Sequence, residues 1–166
     1  MQIDVLVKNE KHVKLKKNIG RIFRQYNIIE YKSPEDDLDI DDFYKTYAYA
    51  CLYKSDTETV DLIPADEMTI TFVCYHYPRA MLDKLQRDRG IMAEKIESGI
   101  YYLTGDAIPV QLIIVPALSK NNNYKYVWAF VHINEYKFLN SNNTKIVSKK
   151  NYFKYFYHLL TSKVII

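Results

Sequence analysis

A glutamate and a lysine two residues apart, Glu30 and Lys32, are the side chains in this sequence best suited to chemistry. They lie in residues 26–32 (YNIIEYK), whose β-branched and aromatic composition predicts a strand ending before Pro34. Because strand side chains alternate between faces, both should point to one side and Tyr31 to the other. A carboxylate can bind Mg²⁺ through oxygen, and a lysine can orient water or stabilise charge developing on a phosphate. The pair therefore predicts metal-assisted phosphate chemistry.

A second acid is needed, because one carboxylate rarely holds such a cation alone. Upstream of Glu30 the only acids are Asp4 and Glu10. Asp4 falls inside a predicted strand, where an ionised carboxylate is costly unless it is paired or metal-bound, whereas Glu10 falls in a predicted turn. Asp4 is therefore the expected partner. The alternative is that Glu30 and Lys32 form a solvated ion pair worth about 0–1 kcal/mol, with Asp4 a frayed terminal residue.

The elements that would position these residues follow from hydrophobic periodicity. Strands are predicted over 3–7, 12–16, 26–32, 68–77, 91–96, 100–103 and 108–115. A helix is predicted over 39–54, and a second one begins at Pro78 and ends at Gly90. The first helix should bury one apolar stripe, made of Ile40, Phe43, Tyr44, Tyr47, Ala48, Cys51 and Leu52. The order of elements predicts an α/β or α+β fold, a sheet with few helices.

Composition limits the class of protein and divides the chain. The 166 residues are 48% hydrophobic, and the longest apolar run, 112–118, is far shorter than the roughly 20 residues that span a bilayer. Two cysteines and no signal-like start favour a cytoplasmic protein without membrane partners. Residues 1–119 carry a net charge of −4, and residues 120–166 carry +7. We therefore predict a domain over 1–119 and a basic, aromatic- and Asn-rich extension over 120–166.

Residues 27–34 (NIIEYKSP), together with Asp4, resemble the Asp…Glu-x-Lys signature of the PD-(D/E)XK nuclease superfamily. The longer string NIIEYKSPEDDLDIDDFYK is similar to clostridial proteins grouped with the Rpn-type recombination-promoting nucleases and putative transposases. The resemblance covers about residues 2–118. It implies a restriction-endonuclease-like core, a mixed four-stranded sheet flanked by helices, and cleavage of DNA phosphodiesters that depends on Mg²⁺ or Mn²⁺.

The resemblance also implies a role for each matching residue. Asp4 and Glu30 would be metal ligands, the Tyr31 carbonyl a further ligand, and Lys32 the catalytic lysine. The superfamily fold begins with a helix ahead of the Asp strand, and we expect that helix to be missing here because Asp4 is so near the start. A homodimer could cover the surface left exposed. The alternative to an active endodeoxyribonuclease is an inactive remnant, or a non-catalytic module that binds nucleic acid or protein.

Three basic residues are candidates for contact with DNA phosphates. Arg21 and Arg24 flank Phe23 within the basic stretch of the first two-thirds of the chain. Lys45 lies on the helix that follows the Glu-x-Lys strand, which flanks the site in the superfamily. The structural alternative is that the arginines and Lys45 are solvated surface residues and that Tyr44 packs in the core.

Overall fold

A computed structural model describes residues 5–8 and 18–118 of the chain. Its strands are β1 (Val5–Lys8), β2 (Tyr26–Tyr31), β3 (Met68–Cys74), β4 (Met92–Glu97), β5 (Ile100–Thr104) and β6 (Val110–Ile114). Its α-helices are α1 (Ile40–Ser55) and α2 (Arg79–Arg89). The described strands form one six-stranded sheet in the order β1-β2-β3-β6-β5-β4. The α/β class predicted from the sequence is confirmed.

The sheet is mixed. β2, β3 and β6 run parallel to one another, while β1, β5 and β4 pair antiparallel to their neighbours. α1 lies between β2 and β3 in the chain, as a parallel connection requires. The three parallel strands therefore end at the same edge of the sheet. That edge carries Lys32 and the start of α1.

The two faces of the sheet bury different sets of side chains. On one side, here called the helical face, α1 and α2 pack on the even-numbered residues of β2, β3 and β6. The core there includes Ile28, Ile70, Phe72, Leu112, Phe43, Ala50, Met81 and Leu85. The opposite face buries Ile29, Val73 and Ile113 against Ile19, Ile22, Phe23, Val115 and Leu118. Short 3-10 turns, Asn18–Gly20 and Val115–Ala117, lie in the segments packed on this opposite face. The described α-helices thus cover one face, whereas the resemblance implies helices flanking the sheet.

Helix α1 begins where the sequence predicts, but its buried stripe is different. Its N-cap is Asp39, and the residues buried within it are Phe43, Thr46 and Ala50. Phe43 of the predicted stripe is buried, and Ile40 and Tyr47 pack against the core, as predicted. Tyr44 is 44% exposed and Leu52 is 48% exposed, so their predicted places in the stripe, and the expected core position of Tyr44, are wrong. Thr46 can be buried because its hydroxyl donates to the Asp42 carbonyl at 2.9 Å, which satisfies the polar group within the helix.

The other boundaries follow the predicted ones closely. β3 ends at Cys74, three residues short of the prediction, and the chain then turns so that His76 Nε2 lies 2.9 Å from the Pro34 carbonyl oxygen. Pro78 caps α2, and Gly90 ends it in the left-handed region at φ 67°. Ser98 and Gly99 form the turn that joins β4 to β5. The strand predicted over 12–16 and the extension predicted over 120–166 lie outside the described residues.

Candidate functional site

Glu30 and Lys32 lie at the end of β2, at the sheet edge where the parallel strands finish. Glu30 is opposite Phe72 of β3, which packs in the core of the helical face, and Glu30 is only 9% exposed. The Lys32 backbone N–H donates to the Val73 carbonyl at 2.9 Å, so the pairing with β3 extends through this residue. Both side chains therefore belong to the helical face, as the alternation predicts.

The Lys32 ammonium is paired with a carboxylate that the sequence did not single out. Lys32 Nζ donates to Asp42 Oδ1 at 2.6 Å, and only 19% of the lysine side chain and 14% of the aspartate side chain are exposed. Asp42 belongs to the first turn of α1. The ion pair therefore ties the end of β2 to the start of the helix that follows it.

The second oxygen of Asp42 is committed to the helix itself. Asp42 Oδ2 accepts from the Asp39 backbone N–H at 3.2 Å, and Asp39 Oδ1 accepts from the Asp42 backbone N–H at 2.9 Å. This reciprocal arrangement is a capping box, which satisfies two N–H groups that have no partner inside the helix. One carboxylate thus serves both as a helix cap and as the counter-ion of Lys32.

The charges around Lys32 keep it protonated. Burial acts to lower the pKa of Lys32, but the hydrogen bond and charge of Asp42, and then the charges of Glu30 and Asp36, raise the pKa above its ordinary value of 10.5. The contribution from Glu30 reflects its proximity to the ammonium group. The site is therefore a protonated amine surrounded by carboxylates, which can meet either a phosphate or a hydrated cation.

The predicted metal ligands are only partly within the described structure. Asp4 lies outside the described residues, and β1 begins at the next residue, Val5, which is opposite Ile29. Tyr31, whose carbonyl is the third predicted ligand, is the last residue of β2. Over residues 5–8 and 18–118, no group of three or more His, Cys, Asp or Glu side chains is arranged to hold a metal ion. Glu30 is the predicted carboxylate ligand within the described residues, and it lies on the same face of the sheet as Lys32.

The three basic residues predicted to contact DNA are not brought together. The segment containing Arg21 and Arg24 packs on the opposite face of the sheet, through Ile22 and Phe23. Arg21 Nη2 lies 3.7 Å from Glu97 Oε1 of β4 in an exposed ion pair. Lys45 is exposed on α1, three residues after Asp42. Of the three, Lys45 is the one on the same side of the sheet as Glu30 and Lys32.

A second polar cluster, which the sequence did not reveal, links the two helices to the connection between β5 and β6. We call it the Asp106 cluster: Asp106, Arg89, Tyr47 and the Ala107 backbone N–H. Asp106 Oδ2 accepts from Arg89 at 2.7 Å, and Asp106 Oδ1 accepts from Tyr47 Oη at 2.8 Å and from the Ala107 N–H at 2.7 Å. Arg89 also lies 5.2 Å from the centre of the Tyr47 ring. Burial and then the hydrogen bond and charge of Asp106 raise the pKa of Tyr47 to about 12.

The contacts of Asp42 and those of the Asp106 cluster differ in how far the sequence could predict them. An acid three residues after an Asp N-cap is a capping-box signature, so the helix-capping role of Asp42 was open to sequence reasoning, although its contact with Lys32 was not. The partners in the Asp106 cluster are distant in the sequence, with Tyr47 and Asp106 separated by 59 positions. No local pattern indicates such a contact.

Comparisons with known proteins give no match: no family model, no curated protein and no solved structure is similar to the chain. The nuclease resemblance and the roles it implies therefore stay predictions. Within the described ranges, none of the helices has the length and apolar character needed to cross a membrane.

Proposed function

We propose that the chain is a nuclease-like domain that hydrolyses DNA phosphodiester bonds with Mg²⁺ or Mn²⁺. The observation that carries the proposal is the position of Glu30 and Lys32: a nearly buried carboxylate and a protonated amine on one face, at the end of a strand that pairs with the first strand. In the proposal, Glu30 and Asp4 hold the cation, and Lys32 faces the scissile phosphate. The ion, when bound, would activate water and stabilise charge on the phosphate.

The register of β1 supports the choice of Asp4. Val5 is opposite Ile29, and Leu6 is opposite Ile28, so the two strands run antiparallel with a constant offset. The proposal requires this pairing to continue by one residue, to Asp4 and Glu30. Directly opposed residues in an antiparallel pair have Cα atoms roughly 4.5–5.5 Å apart and side chains on the same face. Two carboxylates so placed could share one ion.

The proposal includes a restriction-endonuclease-like core made of β1, β2, α1 and β3. Its support is the observed order of pairing, an antiparallel pair followed by a parallel strand reached through a helix. That order agrees with the mixed sheet that the resemblance implies. Lys45, exposed on α1, would then be the basic residue available to a bound DNA backbone.

A second candidate function is favoured by the Lys32–Asp42 ion pair. If this pair serves only to fasten α1 to the sheet, the Glu-x-Lys residues have a structural role and the chain is a non-catalytic nucleic-acid- or protein-binding module. The two candidates differ in whether Glu30 is needed for metal binding.

Plasmid nicking and Mn²⁺ binding, measured on the same variants, separate the candidates. We expect Glu30→Gln to abolish both nicking and Mn²⁺ binding, and Lys32→Ala to retain Mn²⁺ binding while nicking falls by about 10²–10³. Glu94→Gln is the matched control, since it removes a carboxylate from an exposed position on β4 of the same sheet. Nicking that persists in EDTA, or that is equal in wild type and Glu30→Gln, would refute the nuclease proposal. Absence of both nicking and Mn²⁺ binding in the wild type would favour the non-catalytic module.

A further inference from the structure

We propose that Asp42 is a positioning residue that holds the Lys32 ammonium in place at the end of β2, so that its free donors meet the phosphate. This inference rests on the proposed function, but its central claim, that Asp42 fixes the position of the Lys32 ammonium, can be tested apart from DNA cleavage. No sequence motif assigns this role to Asp42. It follows from the 2.6 Å contact between the two side chains and from their shared burial.

A lysine without such a contact would be poorly placed for chemistry. Its ammonium group sits on a four-carbon stem with many rotamers, so a free Lys32 would spread its charge over a wide volume. The contact with Asp42 Oδ1 selects one direction for the stem. An ammonium group has three N–H donors, and one of them meets Asp42 in this contact. The others are available for a phosphate oxygen or a water molecule.

The carboxylate that holds Lys32 is itself fixed. Asp42 Oδ2 is bound to the Asp39 backbone N–H, and the Asp42 backbone N–H is bound to Asp39 Oδ1, so rotation of the carboxylate would break the capping box. The Thr46 hydroxyl also donates to the Asp42 carbonyl. The lysine is therefore anchored to the first turn of a sixteen-residue helix that packs on the sheet, rather than to a loop side chain.

The acidic run from 35 to 42 contains six carboxylates in eight positions, and their roles differ. Asp39 and Asp42 both belong to the capping box, but only Asp42 contacts the Lys32 ammonium. Asp36 accepts instead from the Ser33 hydroxyl at 3.1 Å. This difference supplies a matched pair of variants, Asp42→Asn and Asp39→Asn. Each removes one charge from the start of the same helix, and asparagine caps a helix about as well as aspartate does.

The first measurement is the mobility of the Lys32 side chain, read as NMR order parameters of its methylene groups and compared with those of the exposed Lys84. A contact with a carboxylate restricts the rotamers of a lysine, so losing the contact should lower the order parameters of Lys32. We expect lower order parameters in Asp42→Asn and wild-type values in Asp39→Asn, with both variants folded by circular dichroism. Unchanged order parameters in Asp42→Asn would overturn the proposal, and so would an equal decrease in the two variants.

The second measurement is the single-turnover nicking rate at saturating DNA. Misplacing a catalytic group by about 1 Å can cost roughly 10²-fold, so we expect a loss of that size in Asp42→Asn, no loss in Asp39→Asn, and unchanged Mn²⁺ binding in both. Full nicking by Asp42→Asn, alongside a strong loss in Lys32→Ala, would overturn the positioning role while leaving the nuclease proposal intact. No nicking by the wild type would refute the proposed function, and the order parameters would still decide whether Asp42 positions Lys32.

Discussion

The Asp106 cluster predicts a large loss of stability from a single substitution, Asp106→Ala. The Asp106 side chain is only 7% exposed and accepts three hydrogen bonds, from Arg89, Tyr47 and the Ala107 N–H. A neutral hydrogen bond contributes about 0.5–1.5 kcal/mol net, and one involving a charged group about 1.5–3 kcal/mol. Arg89 is 29% exposed, so water will compensate part of its loss. We expect the free energy of unfolding to fall by about 3 kcal/mol.

Thermal unfolding followed by circular dichroism gives the readout. A loss of about 3 kcal/mol should lower the Tm by roughly 10 °C in a domain of this size. Asp88→Ala is the control, because Asp88 and Lys84 form an exposed ion pair at the same 2.7 Å distance on α2. Exposed pairs of this kind contribute little, so this variant should unfold close to wild type. Equal losses in the two variants would show that the Asp106 cluster does not brace the fold.

The Asp106 cluster also predicts how the stability of the protein changes with pH. Folding raises the pKa of Tyr47 from about 10 to about 12, so folding favours the protonated phenol. The stability that this group contributes is therefore fully present below about pH 10 and is lost as the pH rises through 12. Tyr47→Phe should be less stable than wild type at neutral pH, and the difference should shrink as the pH increases from 9 to 12. A constant difference over that range would contradict the argument.

Three further predictions concern the rest of the domain. Gly99→Ala should strongly lower the free energy of unfolding measured by urea denaturation, because an added Cβ would lie 2.7 Å from the Ile114 carbonyl oxygen. An added Cβ at Gly90 meets no atom within 4 Å, so Gly90→Ala should cost only about 1–2 kcal/mol in the same measurement. Alkylation of the native protein should modify the exposed Cys51 and spare the buried Cys74. Burial raises the pKa of Cys74 to about 12, so its thiol stays protonated and unreactive. Labelling of both cysteines without denaturant would contradict this prediction. A chain lacking residues 120–166 should still unfold in one cooperative transition, and loss of that transition would show that the domain does not end near 119.

The elements of the fold were largely predictable because their signals are local. The acids before α1, Pro78 before α2 and Gly90 after it mark helix ends by backbone chemistry that needs no tertiary contact. The phase of the buried stripe in α1 was not predictable in the same way. Tyr44 is as apolar in pattern as Phe43, and only packing against the sheet decides that Phe43 is buried and Tyr44 is exposed.

Only part of the candidate site, the placement of Glu30 and Lys32, could be predicted from the sequence. Alternation along β2 is sufficient to place Glu30 and Lys32 on one face. The partner of Lys32 could not be chosen from sequence, because the acidic run before and within α1 offers six similar carboxylates. The choice of Asp42 depends on how α1 crosses back over the sheet after β2, which is a property of the packed helix. Asp4 remains a prediction of sequence and resemblance.

The exposed strand β4 bears on how this sheet meets other molecules. In the described part of the chain β4 pairs on one side only, with β5, and its register shifts between Lys95 and Glu97. A strand with a free edge invites another strand to add to it, and charged residues together with an irregular register oppose such addition. Glu94, Lys95 and Glu97 supply those charges along β4. As far as the described residues go, this edge of the sheet therefore offers no regular backbone ladder on which other copies of the chain could polymerise.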